Sequence, residues 1–141
     1  MLVFAADRVT KGLIVANVPL NSEFPAVDRL VWIAHVQNSG AAFGIAPVGS
    51  SAFLAASLVV AAALVTFEVR RPHGAWTSVM LGLILGGTVG NGYDRLLHGG
   101  SVTDFIALHF WPVFNVADAA ISIGVAALLA AYLLRRTSPG A

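Results

Sequence analysis

Apolar residues in this chain come in long blocks separated by short polar stretches, rather than in the alternating or one-faced patterns of a soluble fold. Three blocks stand out: about Ser50 to Phe67, Trp76 to about Tyr93, and about Val113 to Leu134. Each runs to roughly 18–22 residues, and a helix needs about 20 to cross a bilayer core. No Asp, Glu, Lys or Arg occurs between Arg29 and Glu68, or between Arg71 and Asp94. The pattern therefore predicts three membrane-spanning helices.

A fourth block at the amino terminus is interrupted. Met1 to Ala6 and Gly12 to Val18 are apolar, but Asp7, Arg8 and Lys11 lie between them. Either Met1 to Val18 crosses with its charges turned toward the protein interior, or the first helix is shortened at its start. The shortened helix is the expectation here. No basic region precedes the apolar part, which argues against a secretory signal. Arg70, Arg71, Arg135 and Arg136 flank spans closely, where positive charge marks the cytoplasmic side. The segments Pro19 to Gly49 and Asp94 to Pro112 then share the opposite face. Within the first of these, Leu30 to Val36 reads as a short strand. Asn38-Ser39-Gly40 reads as a turn, followed by the small, apolar Ala41 to Gly44. Phe105 to Leu108 and His109-Phe110-Trp111 read as an interfacial loop with Trp111 at headgroup level.

Composition agrees with a membrane protein. The chain is 57% hydrophobic and only 11% charged, where a soluble domain carries about 25% charged residues. A net charge of +1 with no long basic run gives no basis for nucleic-acid binding. The absence of cysteine excludes disulfides, thiol nucleophiles and thiolate metal sites. The length suits one domain, residues 1–141.

The candidate chemistry lies at the outer ends of the spans. Asp118 borders the uncharged run from Ala119 to Leu134, and Asp104 precedes it on the same membrane face. An ionisable group at lipid depth is costly and points to function when it has a partner. Here the partner is a second carboxylate. Two adjacent carboxylates do not both ionise easily, so one holds a proton while the other stays charged. Asp118 alone has an ordinary explanation, a first-turn acid favoured by the helix dipole. Asn115 shares a helical face with Asp118, and Asn91 is an amide at the end of an apolar helix, needing hydrogen-bond partners. Asp94 and Arg95 read equally well as interface charges. Gly82, Gly86 and Gly90 recur every fourth residue, a spacing that lets membrane helices approach closely, and Gly87 and Gly92 add backbone freedom. His98 and His109 flank Asp104, but no tight metal-ligand spacing occurs, so no metal site is expected.

Taken together, five motifs resemble the lipoprotein signal peptidase (signal peptidase II) family. They are Asp7 to Lys11, Asn38 to Phe43, Gly86 to Arg95, Val102 to Phe105, and Phe114 to Asp118 with Ile121 and Gly124. The resemblance implies an all-α integral membrane protein with four transmembrane helices, approximately 1–18, 50–67, 76–93 and 113–134. It further implies that both termini are cytoplasmic and that a small β-rich element is extracytoplasmic. It implies an aspartic peptidase, and the expectation is an endopeptidase of the bacterial plasma membrane that acts without cofactor, as a monomer among membrane lipids. The enzyme removes signal peptides from prolipoproteins, cutting just before a diacylglyceryl-modified cysteine. Asp104 and Asp118 match the catalytic pair; Asn38, Asn91, Arg95 and Asn115 match the supporting polar set. Two departures stand out: Arg8 replaces the usual Gln, and Gly99-Gly100-Ser101 lengthens the stretch before Asp104 by one residue. The rival reading is a small transporter subunit using the aspartates as a proton relay, though the chain offers no inverted repeat or interrupted helix pair.

Overall fold

The computed structural model describes residues 2–40, 50–71 and 73–137. Its elements run α1 (Leu2–Asn17), β1 (Glu23–Val27), β2 (Val31–Asn38), α2 (Ser50–Arg70), α3 (Ala75–Leu97), β3 (Val102–Ala107) and α4 (Val116–Thr137). Helix α3 is central and packs against α1, α2 and α4. The three strands form an antiparallel sheet in the order β1-β2-β3.

Polar and charged side chains fill much of this protein's interior, while large apolar side chains cover much of its outside. The largest fully buried side chains are Asn115, Thr103, Asp7 and Asp94. Meanwhile Leu58, Val59, Val69, Leu129 and Leu134 project outward, more than half exposed. Among the described residues, two helices combine the length and apolarity needed to cross a membrane: Ser51–Arg70 within α2, at a mean hydropathy of 2.2, and Val116–Arg136 within α4, at 2.0. Helix α1 has only 16 residues and carries charge, while the apolar residues of α3 are diluted by glycine.

The interrupted first block folds as one helix with its charges inward. Asp7 and Lys11, four residues apart, are buried together on one face with Ile14. Helix α3 passes close to that face because its glycines leave room. A Cβ on Gly86 would stand 2.8 Å from Val3 Cβ, and one on Gly90 2.8 Å from Asp7 Oδ2. Gly87 meets the other neighbour, where a Cβ would collide with the Ala117 carbonyl of α4. Gly87 is thus a contact rather than a source of flexibility. Gly82, the first member of the every-fourth-residue series, touches nothing.

Several boundaries differ from the sequence reading. The strand expected near Leu30 to Val36 is β2, and it has a partner the pattern did not announce. Strand β1 (Glu-Phe-Pro-Ala-Val) lies wholly exposed at the sheet edge, where Pro25 is tolerated. Asp28 and Arg29 both take positive φ in the tight turn joining β1 to β2, closed by a 2.8 Å bond from Leu30 N–H to Val27 O. Gly40 donates its N–H to Asn38 Oδ1 at 2.9 Å, making the expected turn after β2. Ala41 to Gly44 lie outside the described residues. Phe105 to Ala107, expected as loop, belong to β3. Phe105 and Ile106 donate to Phe114 O at 3.0 and 2.8 Å, and Phe114 returns a bond to Ile106 O. That pairing uses Phe114 as a bridge, so α4 starts at Val116 rather than Val113. Helices α2 and α3 extend beyond Phe67 and Tyr93, so Asp94 and Arg95 are helical. Gly99 and Gly100, at φ 60° and 93°, then turn the chain back into β3.

The contrast between two glycines is testable. Gly87→Ala forces the new methyl into α4 and should destabilise by about 1–3 kcal/mol. Gly82→Ala should be neutral or gain up to about 1 kcal/mol from helix propensity. Thermal unfolding in detergent micelles measures both, and equal effects would contradict the packing described.

Candidate active site

The amino terminus of α4 organises the site. Asn115 precedes the helix and its Oδ1 accepts the Asp118 N–H at 3.0 Å, while Asp118 Oδ2 accepts the Asn115 N–H at 3.2 Å. This reciprocal pair is a capping box that satisfies two orphan donors of the helix start. Asp7 Oδ1, from α1, accepts a third, the Ala117 N–H, at 3.2 Å. The first-turn role expected of a lone Asp118 is therefore present, and a second role is added to it.

Asn115 also points its Nδ2 toward β3, donating to Asp104 Oδ1 at 2.6 Å. Asp104 Oδ2 accepts from Asn38 Nδ2 at 2.9 Å. The sheet register explains this second bond: Asn38 pairs with Val102 and lies diagonal to Asp104 on the same face. Asn91 of α3 donates Nδ2 to Asp118 Oδ1 at 2.7 Å, and its Oδ1 accepts from Asn115 Nδ2 at 3.2 Å. Asp104, Asp118, Asn38, Asn91 and Asn115 thus form one continuous network drawn from β2, β3, α3 and α4. Arg95 stands at its margin, donating a long 3.4 Å bond to the Asn91 carbonyl with its guanidinium 5.5 Å from the Phe53 ring centre.

Asp104 is only 2% exposed. Burial, reinforced by the negative charge of nearby Asp118, pushes its carboxyl from the ordinary 3.8 up to about 6, against the opposing effect of the Asn38 and Asn115 amides and of Lys11. Asp118 is less enclosed and lines a cavity of about 290 Å³ with Leu108, Trp111, Phe114, Ala119 and Ile123. Its lining is apolar apart from the Asp118 carboxylate and the Ser122 hydroxyl.

Beneath the aspartates lies a cluster that the sequence reading did not assign. Lys11 Nζ is 3.0 Å from Asp7 Oδ2, 2.8 Å from Asp94 Oδ2 and 2.9 Å from Asn91 Oδ1. Arg8 bridges the same two acids, 2.9 Å from Asp7 and 2.6 Å from Asp94. Asp94 also accepts the Thr103 N–H at 3.1 Å, fastening β3 to α3 beside Asp104. Asp94 is fully buried, so it is not an ordinary interface charge. The signal that reveals this cluster is the four-residue spacing of Asp7 and Lys11 within an apolar helix, which puts opposite charges on one face.

The histidines go elsewhere. His98 Nδ1 lies 3.7 Å from Asp94, and His109 Nε2 lies 3.5 Å from Glu23 while packing on Trp32. Among the described residues, no group of three His, Asp or Glu side chains is placed to hold a metal ion.

The arrangement can be set beside known proteins. The family model described as Signal peptidase (SPase) II matches residues 1–134. A lipoprotein signal peptidase of Desulfitobacterium hafniense is 39% identical over 135 residues, spanning 94% of this chain and 89% of that protein. One from Thermosynechococcus vestitus is 41% identical over 134 residues, spanning 91% and 84%. A bacterial membrane enzyme solved by the in meso method at 1.9 Å superposes with a TM-score of 0.86 at 31% identity, covering 94% of this chain and 88% of its own. A match along almost the whole length, in both sequence and fold, places this chain in the signal peptidase II family.

Proposed function

We propose that this protein is a membrane aspartic endopeptidase that removes the signal peptide from diacylglyceryl-modified prolipoproteins, with Asp104 and Asp118 as its catalytic pair. Family membership and the lipoprotein signal peptidases related to it support the activity. The observation that supports the pair is the continuous amide network tying a buried Asp104 to a cap-forming Asp118. A proton-relay subunit is not favoured, since the relatives are peptidases.

All four helices cross the bilayer of a bacterial plasma membrane, both termini facing the cytoplasm, as a monomer of one domain. The apolarity of α2 and α4 and the outward apolar side chains support this placement. The sheet and both aspartates then face the extracytoplasmic side, where a lipid-modified substrate presents the bond just before its cysteine. The cavity beside Asp118 has the apolar lining that such a substrate requires.

In the reaction, one aspartate removes a proton from water as the water attacks the scissile carbonyl, and the other, protonated, donates to the carbonyl oxygen. When the tetrahedral intermediate collapses and the C–N bond breaks, the carboxyl that gained the proton passes it to the departing amine, while the other aspartate takes back a proton from the intermediate's hydroxyl as the carbonyl re-forms. The raised pKa of Asp104 suits the proton donor, and the capping position of Asp118 stabilises negative charge at a helix amino terminus. Asn38 and Asn115 hold Asp104, while Asn91 and Asn115 hold Asp118; Arg95 contributes positive charge at the margin. No metal or organic cofactor takes part.

Asp104→Asn and Asp118→Asn should each lower the initial cleavage rate about 10²–10⁴-fold, because an amide cannot exchange the proton. Asn115→Ala should retain more activity than either, yet lose about 1 kcal/mol of stability with the helix cap. Rates on a lipid-modified prolipoprotein, at equal amounts of folded protein, test the ranking; an active Asp118→Asn would overturn the pair. Cleavage should also survive exhaustive chelation, and a loss reversed by zinc would argue for a metal enzyme instead.

The buried carboxyl makes a further prediction about stability. An acid whose folded pKa is raised is penalised once it ionises, so the cost is absent below about 4 and fully present above about 6. Relative to Asp104→Asn, the wild-type protein should therefore lose on the order of 1–3 kcal/mol as pH rises through this window. Parallel unfolding curves at pH values on either side would show it. A stability difference independent of pH would mean that Asp104 titrates normally.

A further inference from the structure

The reaction as described leaves one buried cation without a chemical task. Lys11 is 2% exposed, and its ammonium spends its three donors on Asp7, Asp94 and Asn91. The two carboxylates and two cations balance in charge. Neutrality alone does not require Lys11 to touch Asn91, since Arg8 already bridges the same two acids.

The contact with Asn91 has a directional consequence. A carboxamide has a donating end and an accepting end, and a rotation of half a turn exchanges them. Asn91 Oδ1 faces two donors, Lys11 Nζ at 2.9 Å and Asn115 Nδ2 at 3.2 Å. An ammonium accepts nothing, so the reversed amide would set its NH₂ against a buried cation. Asn91 is therefore locked with Nδ2 toward Asp118 Oδ1, at 2.7 Å. Asp118 thereby receives a donor that cannot turn away, backed by a positive charge.

We propose that Lys11 is a positioning residue for the cleavage reaction: acting through Asn91, it holds Asp118 as the charged partner and leaves the proton of the pair on Asp104. This rests on the dyad reading above. The neighbouring groups leave the task to Lys11. From α1, Arg8 is engaged by Asp7 and Asp94; from α3, Arg95 hydrogen-bonds the Asn91 backbone carbonyl and acts on Asp118 and Asp104 by charge alone, without fixing the direction of the Asn91 amide. From β3, Thr103 donates its N–H to Asp94, and Asp104 receives only the neutral amides of Asn38 and Asn115. The elevation of Asp104 to about 6 comes from burial and the charge of Asp118, while the direct field of Lys11 opposes it, so the effect assigned to Lys11 runs through Asn91 and Asp118.

The test is signal-peptide release from a diacylglyceryl-modified prolipoprotein by the full chain in detergent, with kcat and KM measured across pH at equal amounts of folded protein. Lys11→Met removes the ammonium but keeps an unbranched stem. Should it fail to fold, Lys11→Met combined with Asp94→Asn keeps the buried charge balanced and is compared with Asp94→Asn alone. The expected result is a kcat lowered about tenfold or more with KM within about twofold, and an acidic limb of the rate profile moved upward by about one pH unit. Lys11→Arg should restore part of the rate and return the limb toward its original position. A profile that stays in place, with loss confined to the yield of folded protein, overturns the assignment and leaves Lys11 a structural ion. Asp118→Asn run alongside separates the two readings. If it still cleaves, the dyad itself is wrong; if it is inactive while the Lys11 variants keep their profile, only the role of Lys11 falls.

Discussion

The ammonium of Lys11, enclosed by Asp7, Asp94 and Asn91, is the contact on which the remaining structure depends. A cation away from water must be met by negative charge and by acceptors for each of its donors. Meeting it fixes where α1 lies against α3. Asp7, held there, reaches the Ala117 N–H at the start of α4. Asp94, held there, reaches the Thr103 N–H of β3. One ion cluster thus fastens two helices and a strand to the helix that carries it. The proposed catalytic residues belong to two of these three fastened elements, Asp104 on β3 and Asp118 on α4.

Such a cluster needs close approach, and small residues provide it. Gly90 lets α3 come up to Asp7, and Gly87 lets it come up to the Ala117 carbonyl. Where no hydrophobic force draws helices together, packing and polar contacts must do so. Here they coincide between Gly87 and Asp94, within about two turns of α3. Among the described residues of α2 from Ser51 to Arg70 none is buried, which fits the same logic, because that helix contributes none of the cluster's charges.

How much was legible in the sequence follows from how local each signal is. The apolar blocks give α2, α3 and α4 with shifts of a few residues, since length and composition act along the chain. Asp104, Asp118, Asn91 and Asn115 were legible because a polar group beside an apolar run has to be explained, and the structure brings them together. Asp94 was not: its burial comes from Arg8 and Lys11, remote in sequence. The start of α4 was misplaced because Phe114 pairs with β3, a tertiary bond that no periodicity reports. Strand β1 carries no alternation, being exposed on both faces with a proline in the middle. Asp7 and Lys11 looked like defects in a helix until their shared face was paired with α3.

The capping box of α4 ties backbone order to proton traffic. Asp118 Oδ2 is the acceptor for the Asn115 N–H, and Oδ1 is the acceptor for the Asn91 amide. If Asp118 takes up a proton during turnover, both bonds weaken in the same instant, because a neutral carboxyl is a poorer acceptor than a carboxylate. The opening of the helix would then loosen and tighten once per catalytic cycle. A compound that donates to Asp118 in place of the Asn115 N–H would compete with the first turn of α4 itself, and its binding would be felt as faster amide exchange at Asn115, far more than at residues deeper in the helix.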